Sequence, residues 1–290
     1  MYRLPSLSWG DPSNPPVLLC HGKLDACSGF RPLVSRLPEC FFYLSVDLPG
    51  NGRSDHLPRG VRYSILDLVP TIVRVKEHYK WDKFIYIGHS LGVPIGKYFN
   101  IAYPGHITRT VELDPIPAHH NWPATRAAMK HWFERYYALY DEDKYHKING
   151  SVETAPKYTY DKMTMDVRRI SKQASEHVLE RCLVPAGDGL YRFTFDQRMK
   201  EVTVLPFTGE ALRQIYTTTT TPTFCVLAQD TIGMGAYIGV ESFLMDEKAW
   251  PNENYKVKIV PGGHDVHIDD PGCMAEDVSK FLLEDVRAKL

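Results

Sequence analysis

Short apolar runs closed by turn-forming residues recur along the chain: PVLLC at 16–20, FFYLSV at 41–46, KFIYI at 83–87, RTVEL at 109–113, TFCVL at 223–227 and YKVKIV at 255–260. Runs of this length and uniform apolarity predict strands buried on both faces, the pattern of a parallel sheet. Between them lie longer segments of helical period. The clearest is SILDLVPTIVRVKEHYK, which opens with Ser64 and Asp67 at capping-box spacing and carries Ile65, Leu68, Val69, Ile72, Val73 and Val75 along one side. Pro70 lacks the amide donor that a helix interior needs, so a kink or a split is expected there. Strands alternating with helices predict an α/β fold, a mostly parallel sheet covered by helices on both faces.

The alternation stops after Pro115 and resumes near Thr223. In the interval, PATRAAMKHWFERYYALYDEDKYHK and TMDVRRISKQASEHVLERCL have helical character, whereas VPAGDGLYRFTFDQRM reads as an irregular hairpin. The expected division is a core of residues 1–115 and 222–290 with a mainly helical insertion over 116–221. A chain of 290 residues with 43% hydrophobic residues accommodates one such core. Its net charge of −1 gives no reason to expect nucleic acid or anionic lipid as a partner. No run approaches the ~20 apolar residues of a bilayer span, and prolines interrupt MYRLPSLSWGDPSNPP before a signal-peptide core develops. The expectation is a soluble intracellular protein acting on a small molecule. The cysteines Cys20, Cys27, Cys40, Cys182, Cys225 and Cys273 show no C-x-x-C spacing, so neither disulfides nor a zinc site is expected.

Gly88-His89-Ser90-Leu91-Gly92 matches G-x-S-x-G, in which a strained strand-to-helix turn holds a serine hydroxyl out at the end of a strand. Glycines two residues either side keep side chains out of the neighbouring strand and helix. The strand-like KFIYI before it and the helix-compatible LGVPIGKYFNIAY after it supply the required context. A serine nucleophile needs a base, and KIVPGGHDVHIDDP offers His264, placed after a strand on a loop loosened by Gly262 and Gly263, with His267 as the alternative. The base needs a carboxylate on its second ring nitrogen. Asp230, after the fifth of the apolar runs above, is favoured because it keeps the chain order Ser…Asp…His; Asp114, in VELDPIP, is the alternative. Asp265, Asp269 and Asp270 lie too near His264 in sequence to fold back onto its ring.

SWGDPSNPPVLLCHGKLDACSGFRPLVSRLP, VDLPGNGRSD, GHSLG and GGHDVHIDDP, in that order, resemble the α/β-hydrolase superfamily and, within it, the kraken-like or serine-hydrolase-like proteins. The resemblance implies an α/β-hydrolase fold with a helical cap inserted after the sixth strand. It implies that His21-Gly22 begins the oxyanion loop, that the amides of Lys23 and Leu91 form the oxyanion hole, and that residues Asp47 to Ser54 form a structural turn. No metal or organic cofactor is implied. The expected activity is that of a carboxylesterase-like serine hydrolase acting on a small acyl substrate through an acyl-enzyme, with cap aromatics such as Trp122, Trp132 and Tyr137 as candidates for an apolar acyl pocket. The same groups serve an amidase, thioesterase, carbon–carbon hydrolase or perhydrolase, and a non-catalytic small-ligand receptor of this fold can keep an intact triad. Serine at the elbow disfavours halide- or epoxide-processing relatives, which use a carboxylate there.

The final Ala288-Lys289-Leu290 differs from the S-K-L peroxisomal address by alanine for serine, and it also reads as a cationic last turn of a C-terminal helix. Peroxisomal and cytoplasmic locations both follow from these readings. A fluorescent reporter carrying the final dozen residues is expected to become punctate in cells if the tail is an address, and to stay diffuse if it is only a helix end.

Overall fold

The computed structural model describes residues 3–58, 61–115, 130, 133, 134, 155–166, 170–202 and 207–287. Seven strands form one sheet in the order β1-β3-β2-β4-β5-β8-β9: β1 (Ser6–Trp9), β2 (Pro16–Cys20), β3 (Phe42–Val46), β4 (Phe84–His89), β5 (Ile107–Leu113), β8 (Thr223–Ala228) and β9 (Tyr255–Val260). All neighbours pair in parallel except the edge strand β1, which runs antiparallel to β3 with Ser6 opposite Val46. A two-stranded antiparallel hairpin, β6 (Leu183–Pro185) with β7 (Tyr191–Phe193), stands apart from it. Each of the six apolar runs is a strand, and the hairpin falls within the segment expected to hold one.

Alternate side chains of the central strands feed two separate cores, as strands buried on both faces must. On one face Val17, Leu19, Ile85, Ile87 and Val111 pack with α1 (Arg31–Val34) and α11 (Gly272–Arg287). On the other, Leu18, Cys20, Leu44 and Tyr86 pack with α2 (Ile65–Leu68), α3 (Pro70–Tyr79) and α4 (Gly92–Ala102). The helix expected around Pro70 is split at that residue. Ser64 and Asp67 close a reciprocal capping box on α2, Val69 bridges, and Pro70 begins α3 at its first position, where a missing amide costs nothing. No helix among the described residues is long and apolar enough to cross a membrane.

Five sheet strands, not six, precede the long segment between β5 and β8, because the sheet begins at the short edge strand β1. The described parts of that segment include α5 (Tyr160–Asp166), α6 (Lys172–Cys182), the β6–β7 hairpin, a short helical turn at Gln197–Glu201 and α7 (Gly209–Thr217). Trp122, Trp132, Tyr137 and the tail Ala288-Lys289-Leu290 lie outside the described residues. The helices α8 (Gln229–Gly233) and α9 (Glu241–Leu244) follow β8, and α10 (Val266–Asp269) follows β9.

The segment is fastened to the sheet by a buried ion pair. Arg181 of α6 donates Nε and Nη2 to Asp47 Oδ2 at 3.0 and 2.6 Å, and Asp47 also accepts the amides of Cys27 and Arg53. Both side chains are almost fully buried. Burial by itself would raise the Asp47 carboxyl, but the Arg181 hydrogen bonds and the backbone donors outweigh it and hold its pKa below the usual aspartate value. Arg198 adds a second tie, donating to Asp196 and to the carbonyls of Leu57, Pro58 and Val61.

Removing one partner of such a pair leaves an uncompensated buried charge. Arg181→Met is therefore expected to lower unfolding free energy at neutral pH by about 3–5 kcal/mol in denaturant titration. A carboxyl with a depressed folded pKa contributes stability that is present above its unfolded value, near pH 4, and is lost as pH falls through the folded value. The gap between wild type and Arg181→Met should accordingly narrow below about pH 4.

Candidate active site

Ser90 stands at the turn from β4 into α4 with φ of +50°, a left-handed conformation that a non-glycine residue adopts only when its surroundings impose it. They do so here through close packing. A Cβ on Gly92 would lie 2.1 Å from the carbonyl oxygen of Cys20 in β2, and one on Gly88 would lie 2.8 Å from the backbone of Gly92 and Val93. The Ser90 amide donates to Leu113 O at 3.0 Å, fastening the turn to the end of β5. Ser90 itself is 7% exposed.

Asp114, the residue after β5, also has positive φ, at +42°. Its carboxylate collects four donors. Oδ1 accepts from the Ala228 amide at 2.7 Å and from Tyr237 Oη at 2.6 Å, while Oδ2 accepts from Thr231 Oγ1 and from His264 Nδ1, each at 2.6 Å. Burial and the neighbouring Asp114 charge push the Tyr237 phenol far up, which keeps it a donor. A carboxylate accepts only, so His264 Nδ1 carries the hydrogen and Nε2 is left as an acceptor. This is the arrangement a general base requires.

Of the two candidate carboxylates, the structure brings Asp114 and not Asp230 to the imidazole of His264. Asp230 lies in the first turn of α8, is exposed, and has its amide bonded to Gly262 O; the carboxylate on His264 belongs to Asp114. The chain order Ser…Asp…His survives because Asp114 also precedes His264. The alternative base His267 lies on α10, 1% exposed, against the rings of His89 and Phe30, and His264 takes the position beside Asp114. Sequence reasoning missed Thr231 and Tyr237, whose hydroxyls carry no motif and reach Asp114 only through the fold.

The loop after β2 abuts the elbow: a Cβ on Gly22 would lie 3.1 Å from Ser90 Cβ. His21, fully buried, accepts the Leu48 amide on Nε2 at 3.0 Å, which leaves Nδ1 as the donor to Gly22 O at 2.7 Å. In a trans peptide the carbonyl and the following amide point opposite ways, so this bond directs the Lys23 N–H away from His21. Lys23 itself sends its ammonium to Lys200 O at 3.4 Å in the intervening segment. The Leu91 amide lies at the start of α4, where helix amides lack intrahelical acceptors.

Asp25, His89 and His267 place one carboxylate oxygen and two ring nitrogens within 4.8 Å of one another, a donor set that could hold a cation. Their polar atoms have protein partners as well: His89 Nε2 meets His264 O, and Asp25 Oδ1 accepts the Ala26 amide. The buried thiols of Cys20 and Cys27 are poor nucleophiles, since burial pushes Cys20 up to about 12 and raises Cys27 further, with the Asp47 charge adding to the latter.

Residues 15–161, half of the chain, match the family model of the alpha/beta hydrolase fold. The chain belongs to that family. It is 26% identical over 283 residues to a serine hydrolase-like protein of Danio rerio, covering 94% of this chain and 83% of that one. A probable serine hydrolase of Drosophila melanogaster is 27% identical over 95% of this chain and 83% of its own. Among solved structures, a hypothetical protein of Pseudomonas aeruginosa PAO1 superposes with a TM-score of 0.76 at 24% identity, covering 98% of this chain and 95% of that one. The thioesterase domain of the curacin biosynthetic pathway follows the same fold with a TM-score of 0.73 at 19% identity, covering 96% and 95%.

The 2.6 Å bond from His264 to Asp114 should give a strongly downfield imidazole proton in NMR spectra. That resonance is expected to vanish in Asp114→Asn and to persist in Asp230→Asn; the reverse result would restore Asp230.

Proposed function

We propose that the protein is a serine hydrolase that cleaves an ester-like carbonyl through an acyl-enzyme. In this reading Ser90 Oγ attacks the carbonyl, His264 Nε2 takes its proton, and Asp114 holds the imidazole tautomer and stabilises the imidazolium. The amides of Lys23 and Leu91 hold the developing oxyanion, and His264 returns the proton to the leaving group before water repeats the sequence to release the acid. The observation that carries the reading is the 2.6 Å contact between His264 Nδ1 and a buried carboxylate beside a serine held at positive φ. Family membership and relatives named a serine hydrolase-like protein and a probable serine hydrolase support the hydrolase class.

The segment 116–221 is the proposed cap, and the substrate is a small acyl compound bound between it and the strand ends. The strained elbow favours catalysis over passive ligand binding, since a receptor needs no serine held in that conformation.

Ser90→Ala should abolish hydrolysis of short p-nitrophenyl esters and labelling by a fluorophosphonate probe. Asp114→Asn, which leaves the imidazole in the wrong tautomer, should lower kcat about 10,000-fold, while Asp230→Asn should stay within about threefold of wild type, inside the usual effect of removing an exposed group. Full turnover by Ser90→Ala would overturn the assignment.

A further inference from the structure

His89, the residue before the proposed nucleophile, is buried, and it touches three parts of the site at once. It is joined by a peptide bond to Ser90. Its ring lies against the oxyanion loop, where a Cβ on Gly22 would come within 2.9 Å of Nδ1. Its Nε2 is 3.0 Å from the carbonyl oxygen of His264, and because a carbonyl only accepts, Nε2 carries the hydrogen. The two rings are 4.8 Å apart.

The base loop requires such a tie. Gly262, at φ of +111°, and Gly263 have no side chains to set the path of the backbone into His264. The loop is fixed instead by hydrogen bonds: Asp230 N to Gly262 O, Val266 N to Gly263 O, and His89 Nε2 to His264 O. Of these, the last acts on the histidine itself and comes from the residue joined to the nucleophile.

His89 lies within a buried polar cluster. Asp25 Oδ2 is 3.9 Å from Nδ1, Asp265 Oδ1 is 3.8 Å from Nε2, and the His267 ring packs at 4.0 Å between His89 and Phe30. Asp25 is fixed by the Ala26 amide at the entry to the short helical turn Cys27–Phe30.

We propose that His89 is a positioning residue that sets the distance between Ser90 and His264 through its Nε2–H bond to the His264 carbonyl, with Asp25, Asp265 and His267 fixing its ring. This rests on the serine hydrolase reading and deepens it. An error of about 1 Å in the placement of reacting groups costs on the order of 100-fold in rate, so the loss should appear in kcat and leave KM nearly unchanged.

Two amide substitutions separate the ring nitrogens. Glutamine reaches the position of Nε2, whereas asparagine reaches only that of Nδ1. His89→Gln is expected to keep kcat for a p-nitrophenyl ester within about fivefold of wild type. His89→Asn is expected to lower it about 10- to 100-fold with KM changed less than about threefold and fluorophosphonate labelling of Ser90 slowed in parallel. Melting curves establish that both variants are folded. If only one folds, its kcat against wild type decides: a near-normal His89→Asn or a His89→Gln reduced more than tenfold overturns the proposal. Equal losses in both, or no loss in either, overturn it too. If Ser90→Ala retained turnover, the hydrolase reading itself would fail, an outcome distinct from any result with the His89 variants.

Discussion

A single buried carboxylate organises the end of the sheet where the candidate site lies. Asp114 leaves β5 in a left-handed conformation and accepts the Ala228 amide from β8, the Thr231 hydroxyl from α8, the Tyr237 phenol and the His264 imidazole. Four donors offset the cost of removing a charge from water, which no one of them could do alone. Because the carboxylate and its donors belong to three stretches of chain, they fix the mutual placement of β5, β8 and the loop after β9. Tyr237 and Thr231 thus belong to the site as firmly as the imidazole does, although neither would touch a substrate.

The second constraint is contact distance. The elbow brings the start of α4 so near β2 that the Gly92 position tolerates no side chain against Cys20 O. The same proximity brings the loop after β2 beside Ser90, where His21 pins the Gly22 carbonyl and turns the next amide away. The proposed nucleophile and the loop proposed to hold the oxyanion are therefore placed by backbone packing more than by side-chain choice.

That difference explains what could be read from the sequence. Strands buried on both faces announce themselves as apolar runs, and Pro70 marks its own break in the helix. The edge strand Ser6–Trp9 gave no such signal, since its residues alternate between exposed and half-buried. Ser90 stood out because Gly88 and Gly92 flank its turn, and His264 because Gly262 and Gly263 precede it. The ranking of Asp230 above Asp114 relied on chain order, which both satisfy. What decides between them is the direction each carboxylate takes on leaving its strand. Asp114 turns inward at positive φ, whereas Asp230 lies in the first turn of a helix and is exposed. No local pattern encodes that choice, and none encodes the hydroxyls that meet Asp114 from 117 and 123 residues away.

The Asp47–Arg181 pair bears on how the site could admit a molecule. Arg181 is the penultimate residue of α6, which also packs Ala174, Val178 and Cys182 against Ala26 and Ile268 of the core. Lifting α6 would strand a carboxylate in an apolar interior, so this helix is the fixed post of the segment between β5 and β8. Entry and exit must be arranged around it, and any redesign of that segment for a new molecule has to retain a guanidinium at this place before altering anything else.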